Sequence, residues 1–190
     1  MAAAVNVHAR DEGSVRHACE HGHLPVVQER LALDGLHAVD VHAGDEYAFR
    51  AACANGHLPV VRELLALQGA RAVDVHAEDE YAFRAACRYG HLGVVQELLA
   101  LQGDRAVNVH HWDEEAFRDA CRYGHLGVVQ ALLALQEDRA VNVRAENEDA
   151  FRSACANGHL SVVAALLTLQ GDRAPTSGMV DLYNATWKTQ

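Results

Sequence analysis

Histidine and cysteine recur along the chain at a spacing that could support metal chemistry. The sequence has 13 histidines and five cysteines, and both imidazole and thiolate are zinc ligands. The densest cluster is Cys-Glu-His-Gly-His at 19–23. Its spacing matches none of the paired-ligand patterns of zinc sites, so we expect no metal and no cofactor. Zinc or nickel that survives dialysis would instead favour metal-dependent binding through these residues.

The histidines fall into two sets with a period of 34 residues. Members of the first set follow a glycine, and we expect their rings to hydrogen-bond between a helix start and a neighbouring loop. Members of the second set are expected to brace loops rather than to contact a partner directly, and their charging near pH 6 is expected to weaken the fold. The first set is His23, His57, His91, His125 and His159, and the second is His8, His42, His76 and His110, followed by Arg144.

The cysteines occupy one position in each period, beside an alanine expected inside a helix. Neighbouring copies would lie about 10 Å apart, whereas a disulfide needs Cα atoms within about 7 Å. We therefore predict free thiols in the core and a reducing, intracellular setting. The five positions are Cys19, Cys53, Cys87, Cys121 and Cys155.

Arginine recurs as well, four residues after a glutamate, as in Glu46 and Arg50. A row of arginines could bind phosphates. However, glutamate four residues before arginine is the favourable order for an ion pair within a helix, and the formal charge of −10 opposes nucleic acid. We predict structural ion pairs here.

The elements that position these residues follow from the same period of 34. In the second copy, Asp45 is expected to cap a first helix over 46–53, and Gly56 to end it. A second, more apolar helix follows over 58–67, and the alternating residues 73–75 favour an extended segment. Each copy is therefore helix, turn, helix and extended loop. One copy cannot bury two apolar helix faces, but five stacked copies form a continuous core.

Two segments resemble the ankyrin repeat: Gly-His-Leu-Pro-Val-Val-Arg-Glu-Leu-Leu at 56–65 and Val-Asp-Val-His-Ala at 73–77. The resemblance covers residues 5–174 and departs at 47–50, where Tyr-Ala-Phe-Arg replaces the family's Thr-Pro-Leu-His. Tetratricopeptide repeats also have 34 residues, but their Trp, Leu-Gly and Tyr positions are absent. The resemblance implies an all-α repeat solenoid of helix-turn-helix repeats joined by extended or hairpin loops, and a module that binds proteins.

We predict one repeat domain over residues 1–174 and a capping segment or tail over 175–190. The first repeat is expected to be the N-terminal cap, because His17 and Arg30 replace an alanine and a leucine of the second repeat. Residues 180–184 resemble the extended segment and are expected to close the fifth repeat. The five repeats are 5–38, 39–72, 73–106, 107–140 and 141–174.

Positions that vary among the repeats mark surface that the fold does not dictate. By resemblance, loop tips and first helices line a concave groove that binds partners. Trp112 is notable because an exposed tryptophan has no core to fill, and tryptophan, tyrosine and arginine are enriched at interface hot spots. The alternative is that its ring folds back onto its own loop. The predicted partner-binding residues are Trp112, His111, Tyr81, Tyr47, Glu78, Glu115, Arg88, Asp119 and Arg122.

Charge and composition narrow the function further. Half of the 190 residues are apolar, and 26 acidic residues outnumber 16 basic ones. We expect a monomer that binds a protein with a neutral or basic surface, and no nucleic acid, membrane or targeting signal. The sequence has no Gly-rich phosphate loop and no nucleophile elbow, so we predict a non-enzymatic interaction scaffold.

The alternative is a structural or engineered repeat protein with no natural partner. It is favoured by the second and third repeats, which differ at only six of 34 positions.

Overall fold

A computed structural model describes residues 7–33 and 38–187. These residues form helices, short 3-10 turns and loops without a strand, which confirms the predicted all-α repeat solenoid class. The predicted start of the first repeat and residues 34–37 and 188–190 lie outside the described residues, as do the side chains of His8, Leu182 and Trp187. The helices are α1 (Val7–Glu20), α2 (Leu24–Leu31), α3 (Ala43–Ala54), α4 (Leu58–Leu65), α5 (Ala77–Arg88), α6 (Leu92–Leu99), α7 (His111–Arg122), α8 (Leu126–Leu133), α9 (Ala145–Ala156), α10 (Leu160–Leu167) and α11 (Ser177–Trp187).

The chain divides into two compact units. The first comprises Met1–Ala86 and Gly93–Val107, and the second Cys87–Leu92 and Asn108–Gln190. In the first unit, α1 packs against α2 and α3, and α3 packs against α4. In the second unit, α7 packs against α8 and α9, and α9 packs against α10 and α11. In both units, therefore, the first helix of one repeat packs on the first helix of the next.

Apolar side chains at helical spacing fill the core of each unit. Phe49, Phe83 and Leu64 are fully buried in the first unit, and Phe117 and Leu132 in the second. Each such side chain stabilises the fold by about 1.5–3 kcal/mol through removal from water. The first-helix phenylalanine therefore takes the position that the apolar pattern predicts.

A glycine and a histidine join successive helix pairs within each unit. Gly124 has φ 79° and lies against the ring of His159, whose Nε2 donates to the carbonyl oxygen of Arg122 over 2.9 Å. In the first unit, Gly22 and His57 form the same pair, with the Glu20 carbonyl as acceptor at 2.9 Å. These bonds, and the 2.8 Å bond from His125 to the Arg88 carbonyl, confirm that His57, His125 and His159 hydrogen-bond as predicted.

In the second to fifth repeats, the tip that begins the first helix runs through three consecutive left-handed residues. In the second repeat these are Gly44, Asp45 and Glu46, with φ of 69°, 54° and 62°. Arg50 spans the tip, since its Nε donates to the Asp45 carbonyl at 2.7 Å and its Nη2 to the Gly44 carbonyl at 2.9 Å. The left-handed conformation costs about 1–2 kcal/mol for each residue other than glycine, and these charge-assisted bonds offset part of that cost.

Two expectations about this tip are wrong. Asp45 does not cap the helix, because its backbone is left-handed and the capping position falls to His42, which makes no side-chain cap bond. Glu46 does not pair with Arg50, because the arginine binds the tip carbonyls while the buried glutamate turns towards His42. The fourth and fifth repeats repeat this arrangement with Arg118 and Arg152.

The second histidine set connects the buried glutamate to the following loop. His76 Nδ1 lies 2.6 Å from Glu80 Oε1, and its Nε2 lies 2.8 Å from the Asp104 carbonyl oxygen. Both partners only accept, so a doubly protonated ring satisfies both. Burial, the largest single influence, lowers the pKa of His76, but the two hydrogen bonds and the nearby carboxylates together raise it above its ordinary value. The expectation that charging weakens the fold is therefore wrong in sign.

The buried glutamates that pair with these histidines also bind the backbone of the next repeat. Oε1 of Glu46 accepts from the Asp74 backbone N–H at 3.2 Å, and Oε1 of Glu114 accepts from that of Asn142 at 3.0 Å. In the fifth repeat, Arg144 replaces the histidine, and its Nε and Nη2 donate to the Ala174 carbonyl. Loop bracing by this set is thereby confirmed.

The C-terminal segment differs from its prediction. Residues 180–184 belong to helix α11 rather than to an extended segment. Met179, Val180 and Tyr183 recur at helical spacing, and the Tyr183 ring packs edge-on against Phe151 with centroids 6.3 Å apart. Because helical spacing places these apolar residues on one face, the helix covers α9.

The five cysteines are free, as predicted, and all are buried except Cys155, which is half-buried. Burial raises the pKa of Cys19 to about 12 and that of the other four above the usual range. Among the described residues, no helix combines the length and the apolar character needed to cross a membrane.

Candidate partner-binding surface

Trp112 stands at the loop tip of the fourth repeat. It is 54% exposed, with φ 48°, and Arg118 Nη2 donates to its carbonyl oxygen at 3.0 Å. Its ring lies beside that of His111, with centroids 5.2 Å apart. The indole therefore contacts its own loop while more than half of its surface remains accessible on a tip that Arg118 holds.

The first unit brings Tyr47 and Tyr81 together on the first-helix surface. The Arg50 guanidinium lies 5.3 Å from the centroid of the Tyr81 ring, and the Tyr47 hydroxyl donates to Glu20 Oε2 at 3.3 Å. The two tyrosines, Arg50 and Glu20 line a cavity of about 160 Å³, together with Ala51, Ala54 and Asn55. Glu78 is exposed at the tip of the third repeat. This surface combines two aromatic rings, one cation, one carboxylate and small side chains.

The second unit carries a network of charged side chains on its first helices. Asp119 is 7% exposed and lies between Arg88 Nη1 at 3.5 Å and Arg122 Nη1 at 3.4 Å. Burial raises the pKa of Asp119, against the opposing effect of the arginines. Arg122 also binds Asp149, at 2.9 Å. Asp119 therefore positions two arginines and offers little surface of its own to a partner.

A cavity of about 300 Å³ adjoins this network, lined by Arg88, Tyr89, Tyr123 and His125. The Arg88 guanidinium lies 5.1 Å from the Tyr123 ring centroid, within reach of a cation–π contact. Both tyrosines are exposed. Neither is among the predicted binding residues, although the Arg-Tyr pair at 88–89 and again at 122–123 is a signal of this surface in the sequence.

The predicted residues thus fall into separate groups. Tyr47 and Tyr81 share the cavity of the first unit, while Arg88, Asp119 and Arg122 form the charged group of the second. His111 and Trp112 are neighbours at a tip, and Glu115 is half-buried near Asp119, whose pKa its charge raises. One group among the described residues has metal-binding potential: His17, Glu20 and His21.

A family model described as ankyrin repeats (three copies) matches residues 15–108 and 83–176. No curated protein matches the sequence. The solved structures that match include an X-ray structure of an ankyrin repeat family protein from Legionella pneumophila, with 20% identity and a TM-score of 0.44. That alignment covers 89% of this chain and 63% of the other.

Proposed function

Because this chain belongs to the ankyrin repeat family, we propose that it is a non-enzymatic scaffold that binds a protein partner through loop tips and first-helix surfaces. Ankyrin repeats are generally protein–protein interaction modules, and the family is typically non-enzymatic. The proposal takes residues 1–174 as the repeat domain and 175–190 as its capping segment. It places the protein in a reducing, intracellular compartment, as a monomer.

Trp112 carries this proposal. An indole that is 54% exposed leaves a large apolar area in water, and removing apolar area from water contributes about 25 cal/mol per Å². The backbone beneath the indole is held by Arg118, so a partner would have little of the tip to order on binding. Tyr47 and Tyr81 give the first unit comparable aromatic anchors.

The charge of the tips supports a partner with a neutral or basic surface. Exposed acidic residues occupy the tips of four repeats, and the formal charge of the chain is −10. Acidic surfaces, nucleic acids and anionic membranes would be repelled. The tip residues concerned are Asp45, Glu78, Asp79, Asp113 and Glu146.

The test compares Trp112→Ala with Leu160→Ala, a control of matched exposure at 55% in the same unit. Each variant and the parent chain capture proteins from a lysate of the source organism, which mass spectrometry then identifies. We expect a protein that the parent and Leu160→Ala retain and that Trp112→Ala retains at least about tenfold less. A third variant, Tyr81→Ala, measures the share of the first unit.

Unfolding in denaturant should show that Trp112→Ala loses less than about 1 kcal/mol, because its side chain is mostly exposed. Equal retention by Trp112→Ala contradicts binding through this tip. If the parent chain retains no protein specifically, the structural or engineered alternative is favoured, in line with the near-identity of the second and third repeats.

A further inference from the structure

Three polar side chains converge at the end of α1 in the first unit. His17, Glu20 and His21 each offer one ligand atom, and these atoms all lie within 4.8 Å of one another. The two imidazole rings are adjacent, with centroids 4.1 Å apart. Two imidazole nitrogens and a carboxylate oxygen form a ligand set suited to zinc and neighbouring divalent transition metals.

The hydrogen bonds around the group orient its ligands. His21 Nδ1 lies 2.9 Å from the His17 carbonyl oxygen, which can only accept, so Nδ1 carries the proton and Nε2 is left to bind an ion. Metal-binding histidines commonly donate their second nitrogen to a carbonyl in this way. The Tyr47 hydroxyl likewise holds Glu20 Oε2 and leaves Oε1 available.

The repeat architecture does not require these three residues. At the matching positions the second repeat has Ala51, Ala54 and Asn55, and its first helix packs in the same way. His17 and His21 are exposed, so neither fills the core. The first repeat therefore departs from the second towards ligand types at three positions that share one surface.

We propose that His17, Glu20 and His21 bind one divalent transition metal ion, with zinc as the ion to test. Tetrahedral coordination with bonds of about 2.1 Å places ligand atoms about 3.4 Å apart, which small side-chain rotations can reach from the present separation. Three protein ligands leave a fourth position for water or for a group from another molecule. The neighbouring Cys19 takes no part, since it is fully buried and burial raises its pKa to about 12.

Titration of the full chain with zinc in an isothermal calorimeter tests this proposal. We expect one zinc ion per chain at pH 7.5 and binding about 100-fold weaker at pH 5.5, because zinc binds imidazole only in its neutral form and two imidazoles must therefore release their protons. The variant His17→Ala, Glu20→Ala, His21→Asn restores the residues of the second repeat and should therefore fold. Its zinc affinity should fall at least about tenfold.

The control is His23→Ala, an exposed histidine two residues beyond the group, which should bind zinc within about twofold of the parent. Unchanged zinc binding by the triple variant would show that other histidines hold the ion and would overturn the proposal. Half an ion per chain would overturn a site within one chain, and loss of binding in His23→Ala would overturn the ligand set.

Discussion

Helix α7 carries two buried carboxylates that have different kinds of partner. Glu114 is 4% exposed and Asp119 is 7% exposed. Glu114 accepts from the backbone N–H of Asn142 in the next repeat, and each repeat has a glutamate at this position. Asp119 pairs with the side chains of Arg88 and Arg122, and the other repeats have alanine, serine or histidine there. The two carboxylates are therefore similarly buried but differ in role. Glu114 binds the backbone of the next repeat, whereas Asp119 positions arginine side chains at the surface.

Removing each carboxylate in turn tests whether the two differ in their contribution to stability. Glu114→Ala should lower the free energy of unfolding by about 3 kcal/mol, since it removes a buried carboxylate that accepts from both the His110 ring and the Asn142 backbone N–H. Asp119→Ala, which restores the alanine of the second and third repeats, should cost less than about 1 kcal/mol. Urea unfolding measures both, and equal losses would remove the distinction.

The glycines provide a second test of contacts that reach the next repeat. Gly124→Ala should cost about 2–3 kcal/mol, because the new methyl group meets the His159 ring and the residue has φ 79°. Gly158→Ala is the matched control: its φ is 73°, but nothing lies within 4 Å of the added atom. It should therefore cost only the strain of about 1 kcal/mol. Thermal unfolding that ranks the two equally would contradict the role of the histidine ring.

The second histidine set, which braces the loops, makes the stability of the fold depend on pH. The pKa of His110 is raised: burial, the largest single influence, lowers it, but the bonds to Glu114 and the Asp138 carbonyl and the charges of these two carboxylates together outweigh burial. A raised pKa means that protonation stabilises the fold. This stability is fully present below about pH 6.5, the unfolded value, and is lost as pH rises through the raised value.

We therefore expect the parent chain to unfold at lower urea concentration at pH 8.5 than at pH 6. The variant His42→Arg, His76→Arg, His110→Arg copies the permanent charge of Arg144 and should lose less between the two pH values. NMR titration of the three imidazoles provides a separate measurement. Midpoints that fall equally in the parent and the variant would assign the pH dependence to other groups.

The smallest expected effect concerns the turn after α8. Glu137 has φ 55°, whereas the corresponding residues of the other described turns are Gly69, Gly103 and Gly171, all left-handed. Glu137→Gly should raise the free energy of unfolding by up to about 1 kcal/mol, because relief of strain exceeds the entropy that glycine loses on folding. Gly103→Glu is the reverse change and should have the opposite sign. A loss of stability in Glu137→Gly would contradict this account of strain.

The sequence predicts the helices better than the loops, for a physical reason. The period of 34, the left-handed Gly56 and Pro59 in the first turn of α4 are local signals, and the structure follows them. The tip around Asp45 instead depends on Arg50 reaching back to two carbonyls, against a local preference for capping. Burial of Glu46 then decides that it pairs with His42 rather than with Arg50.

The sequence predicts which positions lie at the surface, but not which of their side chains are exposed. Variation among the repeats predicts a surface position at Asp119, and the positions of Tyr89 and Tyr123 vary among the repeats as well. Whether such a side chain is exposed depends on its neighbours, and Arg88 covers Asp119 while it lies over Tyr123. In the first repeat, the Cys-Glu-His-Gly-His cluster at 19–23 does not include His17, which lies four residues before His21.

The row of cysteines gives each repeat its own chemical reporter of local opening. Alkylating reagents attack the thiolate, and burial raises the pKa of Cys53, Cys87 and Cys121 well above the usual range. Labelling at neutral pH therefore requires the surrounding helices to separate. Mass spectrometry of peptides after timed alkylation would yield an opening free energy for each repeat, with the half-buried Cys155 modified first.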